Sequence, residues 1–233
     1  MSIAGGRLWA PWAGRENQRP PGGVDPDMQD RYLYLARHGE ATPDEGSLTA
    51  AGRRQAELLG KRLRGVPLTA VHHGPLPRAV QTARLVGERL GDVPLRECEA
   101  AGDYVPYVPE RDEVPADVAD AMLPRLASLS AVDRARGAEL VRQAVVEFTG
   151  PADGGNAPRH DLVVTHAFLI AWLVRAAFEA PTWRWMGLNH ANAALTVIRY
   201  APARPATVLV YNDVSHLPDD LRWTGFPPQF RTP

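Results

Sequence analysis

Tyr32-Leu33-Tyr34-Leu35-Ala36-Arg37-His38-Gly39 decides how this chain is read. Five apolar residues, two of them aromatic, make a run that is short enough for a strand and apolar enough to be buried. Behind it, Gly39 lets the backbone turn sharply and lets a ligand come close. Arg37 and His38 thus stand at the exit of a core strand, where open α/β sheets bind their ligands. The arginine fork matches phosphate oxygens, and a neutral imidazole beside it can attack phosphorus.

The pattern around this segment alternates strand and helix. Pro43 to Ser47 has loop composition, and Thr49 is placed to cap a helix over about 50–64 that turns Ala56, Leu59 and Leu63 to one side. A short strand is expected over 68–72, a second helix over 78–90 and an edge strand over 93–96. The Pro- and Tyr-rich stretch 101–115 reads as an irregular loop over the site. Two helices follow, near 116–128 and 131–149. Leu162-Val163-Val164-Thr165 is the second strong buried strand, with a helix over 167–178 behind it, and two last strands cover 194–200 and 207–211. Such alternation implies an α/β fold, a three-layer α/β/α sandwich around a mostly parallel sheet.

Composition narrows the function. The 233 residues carry a net charge of −1, so no basic field invites nucleic acid. Lys61 is the lone lysine among 26 basic residues, which argues against Schiff-base lysine chemistry and against a P-loop. Cys98 is a single cysteine, so neither a disulfide framework nor a Cys-rich zinc site is expected. No apolar run approaches the roughly 20 residues of a membrane span, and no signal-peptide core is evident. A soluble, cytoplasmic protein is the expectation. Residues 1–30 read as an extended arm ahead of a domain over 31–233. Trp9 and Trp12 on that arm want a covering surface, on their own domain or on a second copy in a homo-oligomer.

Four pieces bear on chemistry. Arg37-His38 and His166 each follow a buried strand, and His166 also opens a helix, whose N–H groups favour an anion. Arg78 starts the helix after the 68–72 strand, and Glu97 follows the 93–96 segment. Parallel strands would bring all four to one edge of the sheet. Two arginines, two histidines and a carboxylate suit a phosphate dianion: the guanidinium groups stabilise the equatorial oxygens, one imidazole attacks, and the carboxyl protonates the leaving oxygen. Glu99 competes with Glu97 for that last role, because residues i and i+2 share a strand face. His160 is expected to be solvated in a polar loop, His190 to cap a turn, and His72 and His73 to be satisfied structural groups.

These residues resemble a known family. Arg37-His38-Gly39-Glu40, Leu48-Thr49 with Gly52 and Gln55-Ala56, Pro75-Leu76-Pro77-Arg78-Ala79 with Gln81-Thr82-Ala83, and Val163-Val164-Thr165-His166 are similar to the motifs of the histidine phosphatase, or phosphoglycerate-mutase-like, superfamily. Leu95-Arg96-Glu97, Leu188-Asn189, Asn192-Ala193 and Thr224-Gly225-Phe226 look like its mitochondrial Ser/Thr phosphatase branch. The resemblance implies a phosphomonoester hydrolase acting on a phosphoprotein or a small phosphate ester. His38 would form a phosphohistidine, Arg37, Arg78 and His166 would bind phosphate, and Glu97 would be proton donor and then base. No metal or other cofactor is implied, since guanidinium and imidazolium groups supply the positive charge. A phosphoglycerate-mutase-type phosphoryl transferase and a non-catalytic phosphate-binding scaffold are the alternatives. His73-Gly74 departs from the family pattern, which has two small hydroxyl residues there.

Overall fold

Arg31–Arg37 and Arg159–Thr165 lie side by side and parallel through seven register pairs, from Arg31 opposite Arg159 to Arg37 opposite Thr165. The computed structural model that shows this describes residues 28–44 and 46–230. Among these the strands are β1 (Met28–Gln29), β2 (Arg31–Arg37), β3 (Ala70–His73), β4 (Leu95–Glu97), β5 (Ala152–Asp153), β6 (Arg159–Thr165), β7 (Leu195–Tyr200) and β8 (Thr207–Asp213). The α-helices are α1 (Ala50–Arg62), α2 (Pro77–Gly87), α3 (Ala116–Met122), α4 (Ala131–Phe148) and α5 (Ala167–Ala177). Six strands form the main sheet in the order β4-β3-β6-β2-β7-β8, and β1 pairs with β5 apart from it. β4, β3, β6 and β2 are mutually parallel, and β7 alone runs against the rest.

Both faces of the sheet are covered, which is why its central strands are apolar throughout rather than alternating. Leu33, Leu35 and Val163 face α4 and α5, packing with Val141, Phe148, Ile170 and Leu173. Ala36, Leu162 and Val164 face α1 and α2, packing with Ala56, Leu59, Ala83 and Val86. Each fully buried leucine contributes about 2 kcal/mol. The result is the α/β/α sandwich expected from the alternation.

Local details differ from the sequence expectation where a specific group intervenes. The helix expected near 116–128 stops at Met122 and tightens into a 3-10 turn over Leu123–Leu126, because Pro124 has no N–H to continue it. His160 is not in a solvated loop: it belongs to β6 and stacks on Tyr32 with ring centroids 4.7 Å apart. The expected arm over 1–30 is shortened at its end, since Met28–Gln29 pairs with Ala152–Asp153; Trp9 and Trp12 lie outside the described residues.

The helices hold the loop that follows β2. Thr49 caps α1, accepting the Gly52 N–H at 2.9 Å, and its hydroxyl donates to the Glu40 carboxylate at 2.8 Å. The Glu40 N–H donates to Gln55 of α1 at 2.8 Å, and the Gly39 N–H to Thr82 of α2 at 3.0 Å. Gly39 and Gly52 let the loop and the helix cross almost backbone to backbone: a methyl on Gly52 would strike the Glu40 carbonyl oxygen, and one on Gly39 would strike the Gly52 carbonyl oxygen. Gly52→Ala is therefore expected to cost about 2 kcal/mol of stability, read as a lowered midpoint of denaturant unfolding.

Candidate active site

Because β2 and β6 end level with one another, His38 and His166 emerge side by side despite being 128 positions apart in the chain. The His38 N–H donates to the Thr165 carbonyl at 3.0 Å, which fixes the two exits relative to each other. The imidazole centroids are 5.0 Å apart and tilted by 52°. Both rings are buried, His38 at 6% exposure and His166 at 2%.

Two arginines flank the pair. Arg78 opens α2 and is buried at 5% exposure. Arg37, the last residue of β2, donates from Nη1 to the carbonyls of His190 at 2.8 Å and Gly225 at 2.7 Å. Its own carbonyl accepts the Ala193 N–H at 3.0 Å. The segments with Asn192-Ala193 and Thr224-Gly225 thus meet around this guanidinium, joined by the Asn192 N–H to the Thr224 carbonyl at 2.9 Å. α5 begins directly after His166, so its dipole adds partial positive charge to the same spot.

The tautomer of His38 follows from its neighbour. Nδ1 lies 2.7 Å from the Gly39 carbonyl oxygen. A carbonyl can only accept, so Nδ1 carries the hydrogen and Nε2 keeps its lone pair. Burial, then the neighbouring His166, Arg37 and Arg78, hold the His38 pKa down to about 3, against the opposing pull of the Gly39 carbonyl. Burial, then Arg78 and Arg37, do the same to His166, also to about 3. Both rings are neutral at physiological pH, and one presents an unprotonated nitrogen beside two fixed cations.

Of the residues expected at the site, His38, His166, Arg37 and Arg78 come together. Glu97 does not join them through a polar contact: it is exposed at the end of the edge strand β4, its Cα paired with that of His73. Glu99 is also exposed and pairs with Arg136 at 3.4 Å. Among the described residues, the carboxylate that reaches the cluster is Asp103, which accepts from Arg78 Nη2 at 2.7 Å and lies 3.5 Å from His166 Nδ1. Sequence reasoning missed it, because a single aspartate in a Pro- and Tyr-rich loop carries no periodicity or spacing to mark it.

His190 was expected to cap a turn. Instead it is 1% exposed, packs edge-on against Tyr211, and has neither ring nitrogen hydrogen-bonded among the described residues. Burial, then Arg37, hold it at about 3. His72 is buried against Phe148 with Nδ1 3.5 Å from Glu147, and His73 Nδ1 donates to the Gly74 carbonyl at 3.0 Å. Burial and the Glu147 carboxylate push the Cys98 thiol up to about 11, which makes it a poor nucleophile.

A parallel α/β/α sandwich with two imidazoles and two guanidinium groups at one strand end is a recognisable class of phosphate site. Residues 33–213 match the histidine phosphatase superfamily (branch 1), and the chain belongs to that family. Over 200 residues it is 27% identical to the mitochondrial serine/threonine-protein phosphatase Pgam5 of Caenorhabditis briggsae, covering 83% of this chain and 67% of the relative. Over 198 residues it is 24% identical to the mitochondrial serine/threonine-protein phosphatase PGAM5 of Homo sapiens, covering 82% of this chain and 65% of the relative. The chain thus spans about two thirds of the length of these curated relatives. A solved mycobacterial glucosyl-3-phosphoglycerate phosphatase superposes with a TM-score of 0.52 at 25% identity, covering 79% of this chain and 99% of that one.

These relatives correct the expected compartment. Both phosphatases are named mitochondrial, which overturns the expectation of a cytoplasmic protein. Among the described residues no helix is long and apolar enough to cross a membrane.

Three buried neutral histidines make stability depend on acid. His38, His166 and His190 sit at about 3 in the folded protein against 6.5 when exposed. Below 6.5 the unfolded chain therefore binds more protons than the folded one. The stability that these groups confer is complete above 6.5 and is lost as the pH falls toward 3. Each group costs about 1.4 kcal/mol per pH unit in that window. Denaturant unfolding at pH 7, 6 and 5 is expected to show this fall, and His190→Phe, which removes one titrating group, is expected to make it shallower.

Proposed function

We propose that this chain hydrolyses phosphomonoesters through a covalent phosphohistidine on His38, acting on a phosphoprotein or a small phosphate ester. The observation that carries the reading is the pair of buried, neutral imidazoles 5.0 Å apart between Arg37 and Arg78, with His38 Nδ1 tied to the Gly39 carbonyl. Membership of the histidine phosphatase family and the phosphatase names of its relatives support a hydrolase.

The chemistry follows from the geometry. The tie at Nδ1 orients the His38 ring and leaves the Nε2 electron pair for attack on phosphorus. Arg37 and Arg78 hold the phosphoryl oxygens and offset the charge that builds on them. His166 donates a hydrogen bond to another oxygen, and an incoming dianion favours its protonated form. Attack by Nε2 breaks the ester bond, and the leaving oxygen takes a proton, from Glu97 as the family resemblance implies, to depart as the alcohol. Water then attacks phosphorus, the P–N bond breaks, and inorganic phosphate leaves with His38 restored. The activity resides in the domain over residues 31–233.

Two other readings are tested by the same assay. A mutase-type transferase would pass the phosphoryl group to an acceptor rather than to water, and a scaffold would bind phosphate without turnover. With para-nitrophenyl phosphate, steady release of inorganic phosphate is expected, together with an acid-labile phosphoenzyme in rapid-quench samples. His38→Ala is expected to lower kcat by at least about a thousandfold and abolish the phosphoenzyme. Turnover that survives His38→Ala would overturn the reading.

A further inference from the structure

A cavity of about 680 Å³ lies beside the clamp on Arg37. Asn189 and Phe226 line it, and each is the chain neighbour of a residue whose carbonyl holds that guanidinium, His190 and Gly225. Tyr211 lines it too, and its hydroxyl donates to the Asn189 carbonyl at 3.1 Å. His38, His166, Arg37 and Arg78 are not among its walls, so it is a recess apart from the phosphate residues.

The lining is mostly apolar. Met122 of α3, Trp183 and Met186 of the 3-10 segment Thr182–Gly187, Leu188 and Phe226 supply it. A hollow of this size suits a small molecule rather than a lone water or ion. The two flexible thioethers adapt to an irregular body, and the aromatic rings offer flat faces to it.

The charge on these walls has one sign. Arg125 and Arg184 line the cavity, and no Asp or Glu does. Both arginines are exposed, and neither forms an ion pair with a described residue. Other surface arginines are paired, Arg111 with Asp120 and Arg222 with Asp219 among them. The Arg184 guanidinium carbon stands 5.1 Å from the centroid of the Trp183 ring, an attraction that holds the charge against the apolar wall. Two guanidinium groups without a carboxylate to neutralise them complement an anion, and their planar forks match a carboxylate, sulfonate or phosphate. The recess therefore matches a molecule that joins an apolar body to an anionic head.

We propose that this recess is a binding site for an amphiphilic anion: a free small molecule whose aromatic or acyl body packs on Trp183, Met186 and Phe226 and whose head is held by Arg125 and Arg184. The apolar atoms line a hollow rather than a raised face, which suits a single molecule over a bilayer surface. The site is additional to the phosphate cluster, and its occupancy does not depend on phosphohistidine chemistry at His38.

Two fluorescent probes that share one ring system test this on the full chain. Anilinonaphthalene sulfonate carries the anionic head, and N-phenylnaphthylamine is the same body without it. The sulfonate probe is expected to bind saturably, at least about tenfold more tightly than the uncharged one. A double variant, Arg125→Gln with Arg184→Gln, is expected to weaken the sulfonate probe by about tenfold or more and to leave the uncharged probe within about twofold. Ala121→Trp, at an exposed position of α3 that lines the cavity, is expected to weaken both probes. Turnover of para-nitrophenyl phosphate is expected to stay within about twofold in the double variant. Equal affinity for the two probes, or sulfonate binding unchanged in either variant, would overturn the proposal. Turnover lost together with probe binding would place the two arginines in the phosphate site and would overturn it as well. A lower solution mass in the double variant would assign this face to a second copy of the chain. Capture of the protein by phosphatidylglycerol vesicles with release of the probe would assign it to a lipid surface. Either of these results also overturns the proposal, and failure of the phosphohistidine reading would appear separately, as activity surviving in His38→Ala.

Discussion

The parallel register of β2 and β6 is the constraint from which the site follows. Opposing Arg37 to Thr165 makes the next residue of each strand, His38 and His166, emerge at the same height on neighbouring exits. A slip of one residue would turn every side chain of one strand to the opposite face. Flipping β2 would take Leu33 and Leu35 from one core and Ala36 from the other, and flipping β6 would do the same to Val163 and to Leu162 and Val164. Burial of both faces therefore fixes the register, and the register fixes the distance between the two imidazoles. The hydrophobic core and the chemistry are specified by the same pairing.

Electrostatics then sets the state of those rings. In water an imidazole is half protonated near neutral pH. Here burial removes the solvent that would stabilise the cation, and two guanidinium groups oppose it further. The site is thus rich in positive charge from arginine but holds neutral histidines. It combines charge that attracts an anion with neutral imidazole, a combination that separate surface residues would not provide. The arrangement costs stability in acid because every one of these rings must be kept dry.

Much of this was legible in the chain itself. The apolar strings Tyr32–Ala36 and Leu162–Thr165 announce buried strands, and polar residues at their exits announce a site. Thr49 was legible as a cap because its side chain acts on the backbone three residues ahead. Boundaries were less so: Pro124 cut a helix that the apolar spacing would have continued. The carboxylate at the site was hidden for a different reason. Its approach depends on a 3-10 turn pressed against Gly74 and held by Thr165, contacts between segments that no local pattern encodes. His160 and His190 were misread for the same cause, since stacking on Tyr32 and enclosure beneath Tyr211 are tertiary events.

The hold of Gly225 on Arg37 links opposite regions of the sequence, 188 residues apart. During synthesis the strand bearing His38 emerges early, yet its neighbouring guanidinium acquires this anchor only after residue 225 has left the ribosome. A nascent polypeptide would carry His38 without a fully clamped Arg37. Assembly of this cluster is in this sense a late event of synthesis, written into one backbone carbonyl.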